Sequence, residues 1–475
     1  MSELTKRKTG AGVCDSDASS SDKDGDVRVV EFDIRPSCAN EAPLRYVRQG
    51  DALTPVVRGA VVDHSVQARM AACFSISGIT RELKEMFLPA GYPDSVSEDY
   101  LAFQFWDTIQ AMCSYLRGVL ATQSVLQSVG VGNDKATPLA AALQWVLRDG
   151  SGMIGGLTFV YFVGSKFDIN VKRWRLFADV INDVGLTLDM LAPFFPASLV
   201  TEVLCVSQVC KTMCGVAAGA TRSSLMTHFA KRDNMADCAA KEGSQETAVK
   251  LFGLVFGMYF ANAVNSSQHA VWVAFLTLTL VHVYANYSAV SGLCIPTVNQ
   301  QRGLILIQRF LTSGDKTASK KEFVLSEHSF SIRSVNQQEP IYNDPELPIR
   351  KIVMGSQLCH AHLSNHDLDA LLQLYSDERY LLSIDADKVH VLFRTEMNPK
   401  DELRAFYQAV MVLQALESSS AAHAASGGVE KHHELLESSY NKMCADFFHL
   451  QNNGWRTHMF LLNTSSWRIK LSGDV

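Results

Sequence analysis

Between Lys250 and Arg302 the sequence contains 51 consecutive residues without a single Asp, Glu, Lys or Arg. Charged residues make up 19% of the chain, so random placement would almost never leave such a gap. A polar segment at 265–269 (NSSQH) divides the stretch into two apolar parts. Because a membrane-spanning helix needs about 20 apolar residues, we interpret the parts as two transmembrane helices. The alternative is a buried helical hairpin in a large soluble domain, where such long apolar runs are uncommon.

Basic residues flank both outer ends of this stretch. They are Arg222, Lys231, Arg232, Lys241 and Lys250 before it, and Arg302, Arg309, Lys316, Lys320 and Lys321 after it. Positively charged flanks stay on the cytoplasmic side of a membrane. The pattern therefore predicts cytoplasmic N- and C-termini, with the NSSQ turn on the far side of an intracellular membrane. The first residues, MSELTKRKTG, are not followed by the apolar run of a secretory signal, so no cleaved signal peptide is predicted.

The predicted fold is mainly α, with a helical membrane-embedded core of at least two transmembrane helices followed by a small cytoplasmic α+β domain. Residues 1–40 are rich in Ser and Asp, which predicts a disordered acidic tail. Residues 41–84 are expected to form an N-terminal extension with short strands. The helical core is placed at 85–310 and the α+β domain at 320–475, an ordinary domain size.

The α+β prediction depends on local patterns near the C-terminus. Residues 380–393 (YLLSIDADKVHVLF) indicate two strands around a turn, and Asn398 with Pro399 is typical of a helix start. Further elements are expected as strands at 321–332, 457–463 and 467–471, and as a helix at 430–450.

Composition and short motifs exclude several classes of function. A net charge of -6 without a basic cluster argues against nucleic acid as a partner. The 11 cysteines include no CxxC pair and are interpreted as free thiols. Gly150, Gly152 and Gly155 match G-x-G-x-x-G, but a helical pattern precedes them where a dinucleotide site needs a strand. The residues Cys359, His360, His362 and His366 are interpreted as a solvated loop entering a helix capped by Ser364 or Asn365. We therefore predict no cofactor, no metal and no catalytic residue.

Two polar segments remain as candidates for a functional site. In the segment 164–191, Asp179 and Asp183 fall on one helix face, and basic residues beside Trp174 suit a membrane interface or an anionic headgroup. The alternative is an interfacial helix whose charges pair with one another. The segment 220–250 could form a polar cytoplasmic connection or a pocket at the mouth of the bundle. The candidate residues are Lys172, Trp174, Arg175, Asp179, Asn182, Asp183, Arg222, His228, Glu242 and Gln245.

Four sequence blocks, in order, resemble the root UVB sensitive protein family. They are FLPAGYPDSVSEDYLAFQFWDTIQ, VGVGNDKA, GSKFD with KRWRLFADVINDV, and GVAAGATRSSLMTHFAKRDNMADCAAKEGSQET. The resemblance runs from about Glu85 to Val264 and continues more loosely to the C-terminus. It implies a membrane-associated family of vertebrates and other eukaryotes, whose plant members are linked to root light responses, vitamin B6 balance and auxin transport. It implies no accepted reaction and supplies no catalytic residues.

Three functions are compatible with these observations. The leading hypothesis is a non-enzymatic multi-pass membrane protein, a scaffold or regulator that contacts the lipid bilayer and binds protein partners through its C-terminal domain. The alternative is a small-molecule transporter, because Arg222, His228 and Asp189 accompany apolar segments broken by proline. The second alternative is a membrane-associated enzyme with a pocket around 174–183. The oligomeric state stays open.

Overall fold

A computed structural model of the protein describes residues 27–31, 44–49, 52–57, 60–61, 76–129, 138–313, 330–341, 351–385, 388–418, 434–444, 454–462 and 464–470. The chain divides into two compact units, Met1–Tyr92 and Pro93–Val475.

The first unit contains a four-stranded sheet whose neighbouring strands pair antiparallel in the order β1-β2-β3-β4. The strands are β1 (Val27–Glu31), β2 (Leu44–Gln49), β3 (Ala52–Val57) and β4 (Ala60–Val61), and the helix α1 (Ile76–Phe87) follows. Strand β1 lies inside the segment 1–40 that the sequence predicts to be disordered, because its three valines favour extended backbone. The other residues of that segment lie outside those that the structure describes.

Six long helices open the second unit. They are α2 (Tyr100–Ser128), α3 (Pro138–Val163), α4 (Val171–Leu191), α5 (Val200–Phe229), α6 (Met235–Val264) and α7 (Gln268–Ser291). The predicted break at 265–269 is confirmed: α6 ends at Val264, and the Ser267 hydroxyl caps α7 by accepting from the Ala270 N–H at 3.1 Å. The prolines Pro193 and Pro196 lie in the connection between α4 and α5.

Contacts at the two ends of this bundle set the directions of its helices. At one end His228, near the end of α5, contacts Asp99 before α2, and Asp99 also accepts from the Cys294 N–H after α7. At the other end Gln123 of α2 contacts Asn265 after α6. Helices α2, α4 and α6 therefore start where α3, α5 and α7 end.

The first of these ends carries a group of basic side chains, and we name it the basic end. Its basic residues are Lys166, Lys172, Arg173, Lys231, Arg232 and Lys241. The connections 192–199 and 265–267 at the opposite end contain no charged residue, whereas the sequence between α2 and α3 includes Asp134 and Lys135.

The outer surface of the bundle is apolar. Large apolar side chains are exposed on α3, α6 and α7, among them Leu157, Tyr161, Phe252, Met258, Tyr259, Val273, Leu280 and Tyr284. Three helices, Val200–Phe229, Met235–Val264 and Gln268–Ser291, are long and apolar enough to cross a membrane. The last two contain the two predicted spans. The additional one is α5, which was not predicted as a span because Glu202, Lys211 and Arg222 interrupt its apolar sequence.

The remainder of the second unit is an α+β region with small sheets. Strand β5 (Thr297–Asn299) pairs in parallel with β9 (Arg456–Leu461). Strand β8 (Lys388–Phe393) lies between β6 (Ile352–Met354), in parallel, and β7 (Tyr380–Asp385), antiparallel. Its helices are α8 (Gln300–Ser313), α9 (Ile332–Gln338), α10 (Asn365–Leu374), α11 (Pro399–Ser418) and a helix at 434–444.

Several local predictions in this region can be compared with the structure. The strand pair at 380–393 and the helix start at Pro399 are confirmed, and Ser364 forms a capping box with Asp367 at the start of α10. The predicted strand at 321–332 is wrong at its end, because Ser331 caps helix α9, whereas 321–329 lie outside the described residues. The strand predicted at 467–471 is wrong for its described part, where Ile469 forms only an isolated bridge with Arg394.

The hydrophobic core of the α+β region begins earlier in the chain than the sequence suggests. Val298, Leu306 and Phe310 pack in one cluster with Val391 and Phe406. Residues 298–310, which the sequence analysis placed in the helical core, therefore pack with the C-terminal region. Their amphipathic spacing does not reveal which of two neighbouring cores they join.

Glycines allow α2 and α6 to pack closely, and this generates a testable contrast. A Cβ at Gly253 would lie 2.6 Å from Cδ1 and 2.9 Å from Cγ of Tyr115, whereas at Gly257 the nearest atom is 3.5 Å away. Replacing glycine by alanine inside a helix raises the free energy of unfolding by about 1 kcal/mol, whereas overpacking lowers it by about 1–3 kcal/mol. Gly253→Ala should therefore lower the thermal unfolding midpoint of the detergent-purified protein, and Gly257→Ala should maintain or raise it. A lower midpoint for Gly257→Ala alone would contradict this packing.

Candidate functional site

A polar cavity of about 330 Å³ lies between α2, α4, α5 and α6 near the basic end. We name it the basic-end cavity. Its lining residues are Gln104, Asp107, Thr108, Gln110, Ala111, Arg175, Gly215, Ala218, Gly219, Arg222, Glu242, Gln245, Glu246 and Val249. A Cβ at Gly215 or Gly219 would meet nothing within 4 Å, so the small side chains of α5 leave this space open.

Three ion pairs join the helices around the cavity. Arg175 Nη2 on α4 lies 2.8 Å from Asp107 Oδ1 on α2. Arg222 Nε on α5 lies 2.8 Å from Glu242 Oε2 on α6, and its Nη1 lies 3.5 Å from Glu246 Oε2. The cavity thus presents two guanidinium groups and three carboxylates, which suits a small molecule carrying both signs of charge.

Both polar segments of the sequence analysis meet in this cavity. Arg175 comes from the first segment, and Arg222, Glu242 and Gln245 come from the second. The sequence analysis missed the contribution of α2, which is Gln104, Asp107 and Gln110. The sequence does indicate these residues, because within the block FQFWDTIQ they occur at every third position, which places them along one side of a helix.

A second group of charges is buried deeper in the bundle. Arg117 Nη1 on α2 lies 2.5 Å from Asp183 Oδ1 on α4, and Arg117 is fully buried. His282 Nδ1 on α7 lies 3.1 Å from Asp183 Oδ2, and Asn286 Nδ2 donates to the His282 carbonyl at 3.1 Å. The Thr279 hydroxyl also accepts from Arg117, at 3.3 Å. The sequence analysis missed Arg117 and His282. Each is a polar residue within an otherwise apolar helical stretch, and this position could have indicated a functional role.

Helix α4 supplies the charges that connect these groups. We name Arg175, Asp179, Asp183 and Asp189 the polar column, because all four are buried along this helix. Asp179 Oδ2 lies 3.8 Å from Arg175 Nε. Asp189 Oδ1 accepts from the Ser207 hydroxyl at 2.5 Å, and its other oxygen contacts Lys211 of α5. The neighbouring Asn182 donates to the Ser114 hydroxyl of α2 at 3.4 Å.

Three of the predicted site residues lie elsewhere. Trp174 packs in an aromatic cluster with Phe159, Phe167 and Phe177, and its indole N–H donates to the Lys166 carbonyl at 3.0 Å. Lys172 contacts the C-terminal region, and His228 contacts Asp99. None of these three side chains lines the basic-end cavity as the structure describes it.

Lys172 belongs to a buried junction between α4 and the C-terminal region. Its Nζ lies 3.0 Å from Glu339 Oε2, which also contacts Arg302 Nη1 at 3.2 Å. Asn299 Nδ2 donates to Glu339 Oε1 at 2.9 Å. Burial raises the pKa of the Glu339 carboxyl, but the two cations outweigh it and bring the pKa below its usual value. The carboxylate thus links both parts of the unit.

No group of three His, Cys, Asp or Glu side chains within the described ranges could hold a metal ion. His362, from the predicted loop before α10, has Nδ1 3.6 Å from Asp385 Oδ2, and both side chains are exposed.

The contact of Asp99 generates a prediction about pH. Burial raises the pKa of Asp99, but His228 and the Cys294 N–H lower it more, to about 2 against an ordinary value of 3.8. A depressed carboxyl pKa stabilises the fold above the unfolded value, and this contribution is lost as pH falls towards the folded value. Asp99→Asn should therefore cost about 2 kcal/mol of unfolding free energy at neutral pH, and the difference should narrow below about pH 4.

Denaturant unfolding of both proteins from neutral to acid pH measures this difference. Asp94→Asn, which changes an exposed carboxylate nearby, is the matched control and should have little effect. A cost for Asp99→Asn that stays constant down to about pH 3 would contradict the electrostatic explanation.

Comparison with known proteins covers almost the whole second unit. The family model described as "Vitamin B6 photo-protection and homoeostasis domain" matches residues 75–314, and "Root UVB sensitive protein, C-terminal" matches 328–471. Protein root UVB sensitive 3 of Arabidopsis thaliana is 35% identical over 400 residues, which are 82% of this chain and 86% of that protein.

Two other relatives extend the comparison. RUS family member 1 of Dictyostelium discoideum is 41% identical over 263 residues, covering 55% of this chain and 50% of that protein. Protein root UVB sensitive 2, chloroplastic, of Arabidopsis thaliana is 30% identical over 80% of this chain and 83% of its own. No solved structure matches significantly. With two family models matching most of its length, the chain belongs to the root UVB sensitive protein family.

Proposed function

We propose that this chain is a multi-pass membrane protein that binds a small charged molecule in the basic-end cavity and carries it across the bilayer. The observation that carries the proposal is the placement of this cavity. Two guanidinium groups and three carboxylates line a space of about 330 Å³ inside a bundle whose outer surface is apolar. Polar cavities surrounded by apolar helices are typical of sites for transported solutes.

The dimensions and charges of the bundle support membrane insertion. Helices of 24 to 30 residues are about 36–45 Å long, enough to cross a hydrocarbon core of about 30 Å. The basic end would face the cytoplasm, since positively charged residues are retained there. The C-terminal region is joined to this end through Lys172 and Glu339. It would therefore lie in the cytoplasm, where it can engage protein partners.

Binding without chemistry is favoured by the lining of the cavity. Its described lining residues include no serine, cysteine, histidine or lysine, so no activated nucleophile of these types faces the space. Arg175 and Arg222 are both held by carboxylates. A ligand with both charges could exchange with these pairs and leave again, as carriage requires. We therefore propose a non-enzymatic role.

The family model's description suggests a ligand to test, because it refers to vitamin B6. The phosphorylated aldehyde form, pyridoxal 5′-phosphate, has an anionic phosphate and a ring nitrogen that accepts a proton. Guanidinium groups are suited to the phosphate and carboxylates to the protonated ring. Because no lysine lines the cavity in its described residues, this ligand would bind without an imine bond.

A regulatory role is the second candidate, and the junction at Glu339 favours it. Lys172 lies one turn before Arg175 on α4, so a partner that displaces Glu339 would act on the helix that lines the cavity. Binding at the C-terminal region would then regulate carriage.

Filling the cavity should weaken ligand binding. Gly219→Leu places a large side chain into the cavity, whereas Gly118→Leu places the same side chain in open space on α2, outside the lining. Isothermal titration of the purified full-length protein with pyridoxal 5′-phosphate should show at least about tenfold weaker binding for Gly219→Leu, about 1.4 kcal/mol. Gly118→Leu should bind like the wild type. Equal affinity in all three proteins would contradict binding in this cavity.

A further inference from the structure

One side chain next to the basic-end cavity has an unused hydrogen-bonding atom. Asp179 is 8% exposed, and its Oδ2 has no hydrogen-bond partner among the described residues. Arg175 Nε lies 3.8 Å from this oxygen, an electrostatic contact beyond hydrogen-bond distance. An unsatisfied carboxylate oxygen at this depth is costly, and protonation relieves the cost by removing the charge.

The charges around Asp179 do not cancel. Arg117 and Arg175 supply two positive charges, whereas Asp107, Asp179 and Asp183 supply three negative ones. The cluster therefore carries one net negative charge when all three carboxylates are ionised and His282 is neutral. One bound proton makes it neutral, which a bundle inside a membrane favours.

The charged groups on the other helices that line the cavity balance one another and leave the net charge of this cluster unchanged. Arg222 and Lys250 pair with Glu242 and Glu246, two charges of each sign. Two further ionisable groups interact electrostatically with Asp179. They are His282 of α7 and Cys214 of α5. Glu242 of α6 acts on the adjacent Arg175.

Position on α4 connects Asp179 to both polar sites. Arg175, which lines the cavity, lies one turn before it, and Asp183, which contacts Arg117 and His282, lies one turn after it. Residues four apart lie on the same helix face. A proton at Asp179 would therefore change the field at the cavity and at the deeper ion pair together.

We propose that Asp179 is a proton-binding site that couples proton uptake to ligand binding in the basic-end cavity. A hydronium ion in cavity water gives its proton to the free Asp179 oxygen, so one O–H bond of the hydronium breaks and one O–H bond forms on the carboxyl group. The reverse transfer returns the proton to water when the site deprotonates. The coupling rests on the proposed carrier function, whereas the proton site itself does not.

Infrared difference spectroscopy of the full-length protein in lipid vesicles, without ligand, tests the proton site. A pH change between about 8 and 5 should produce a carboxylic-acid C=O band in the wild type. When the protein is made with aspartate carrying a ¹³C-labelled side-chain carboxyl, the frequency of this C=O band should fall. Asp179→Asn should lose the band, Asp179→Glu should retain one, and Asp189→Asn, a buried control on the same helix, should keep it unchanged.

Two results would overturn the assignment. One is a wild-type spectrum without any aspartic-acid band in this pH range. The other is a band of the same intensity in Asp179→Asn. The wild-type spectrum needs no substitution, so the first result can overturn the assignment even if a variant fails to fold.

A binding measurement with pyridoxal 5′-phosphate then tests the coupling. The Kd should change between the two pH values by about tenfold more in the wild type than in Asp179→Asn. Titration of the ligand itself affects both proteins equally and does not contribute to this difference. Identical pH dependence in the two proteins would overturn the coupling. If no binding occurs in the wild type, the coupling and the carrier function both fail, and the infrared result still decides whether Asp179 binds a proton.

Discussion

The burial of the charged side of α4 is the constraint on which the rest of the bundle depends. The four ionisable residues of the polar column lie inside a bundle whose outer surface is apolar. Removing one partner from a buried ion pair costs about 3–5 kcal/mol, so Arg175, Asp183 and Asp189 each require a neighbour of opposite sign on another helix. The charged neighbour of Asp179, Arg175, lies on α4 itself. Arg117, Asp107 and Lys211 meet this requirement from α2 and α5. These pairs specify which helices surround α4.

Such pairs add little net stability compared with apolar packing of the same volume, because desolvation offsets most of the attraction. A polar column through a bundle of this kind therefore indicates a function that needs charge at depth. The basic-end cavity provides space beside the first of these charges, and the junction at Glu339 fastens the start of α4 to the C-terminal region. One helix thereby connects the basic-end cavity, the deeper ion pairs and the cytoplasmic face of the proposed topology.

Sequence patterns predicted the local features well and the contacts between helices poorly. The gap between Lys250 and Arg302 was sufficient to predict α7 and the apolar half of α6, because an apolar run of this length has few stable alternatives. Candidate residues on α4, α5 and α6 were recognised from unusual charge in apolar surroundings. Their partners Asp107 and Arg117 were missed, since residues 68 and 66 positions apart pair only through the arrangement of whole helices. The assignment of 298–310 was ambiguous for the same reason.

The central claim is that the bundle lies in lipid with a water-filled cavity open towards its basic end. Thiol labelling tests it most directly, using a membrane-impermeant maleimide added to the cytoplasmic face of sealed vesicles, in a background without native cysteines. Gly219→Cys, in the cavity, should react rapidly, whereas Leu280→Cys, on the exposed apolar surface of α7, should stay unlabelled until detergent is added. Rapid labelling of Leu280→Cys in intact vesicles, at the rate of Gly219→Cys, would contradict the account.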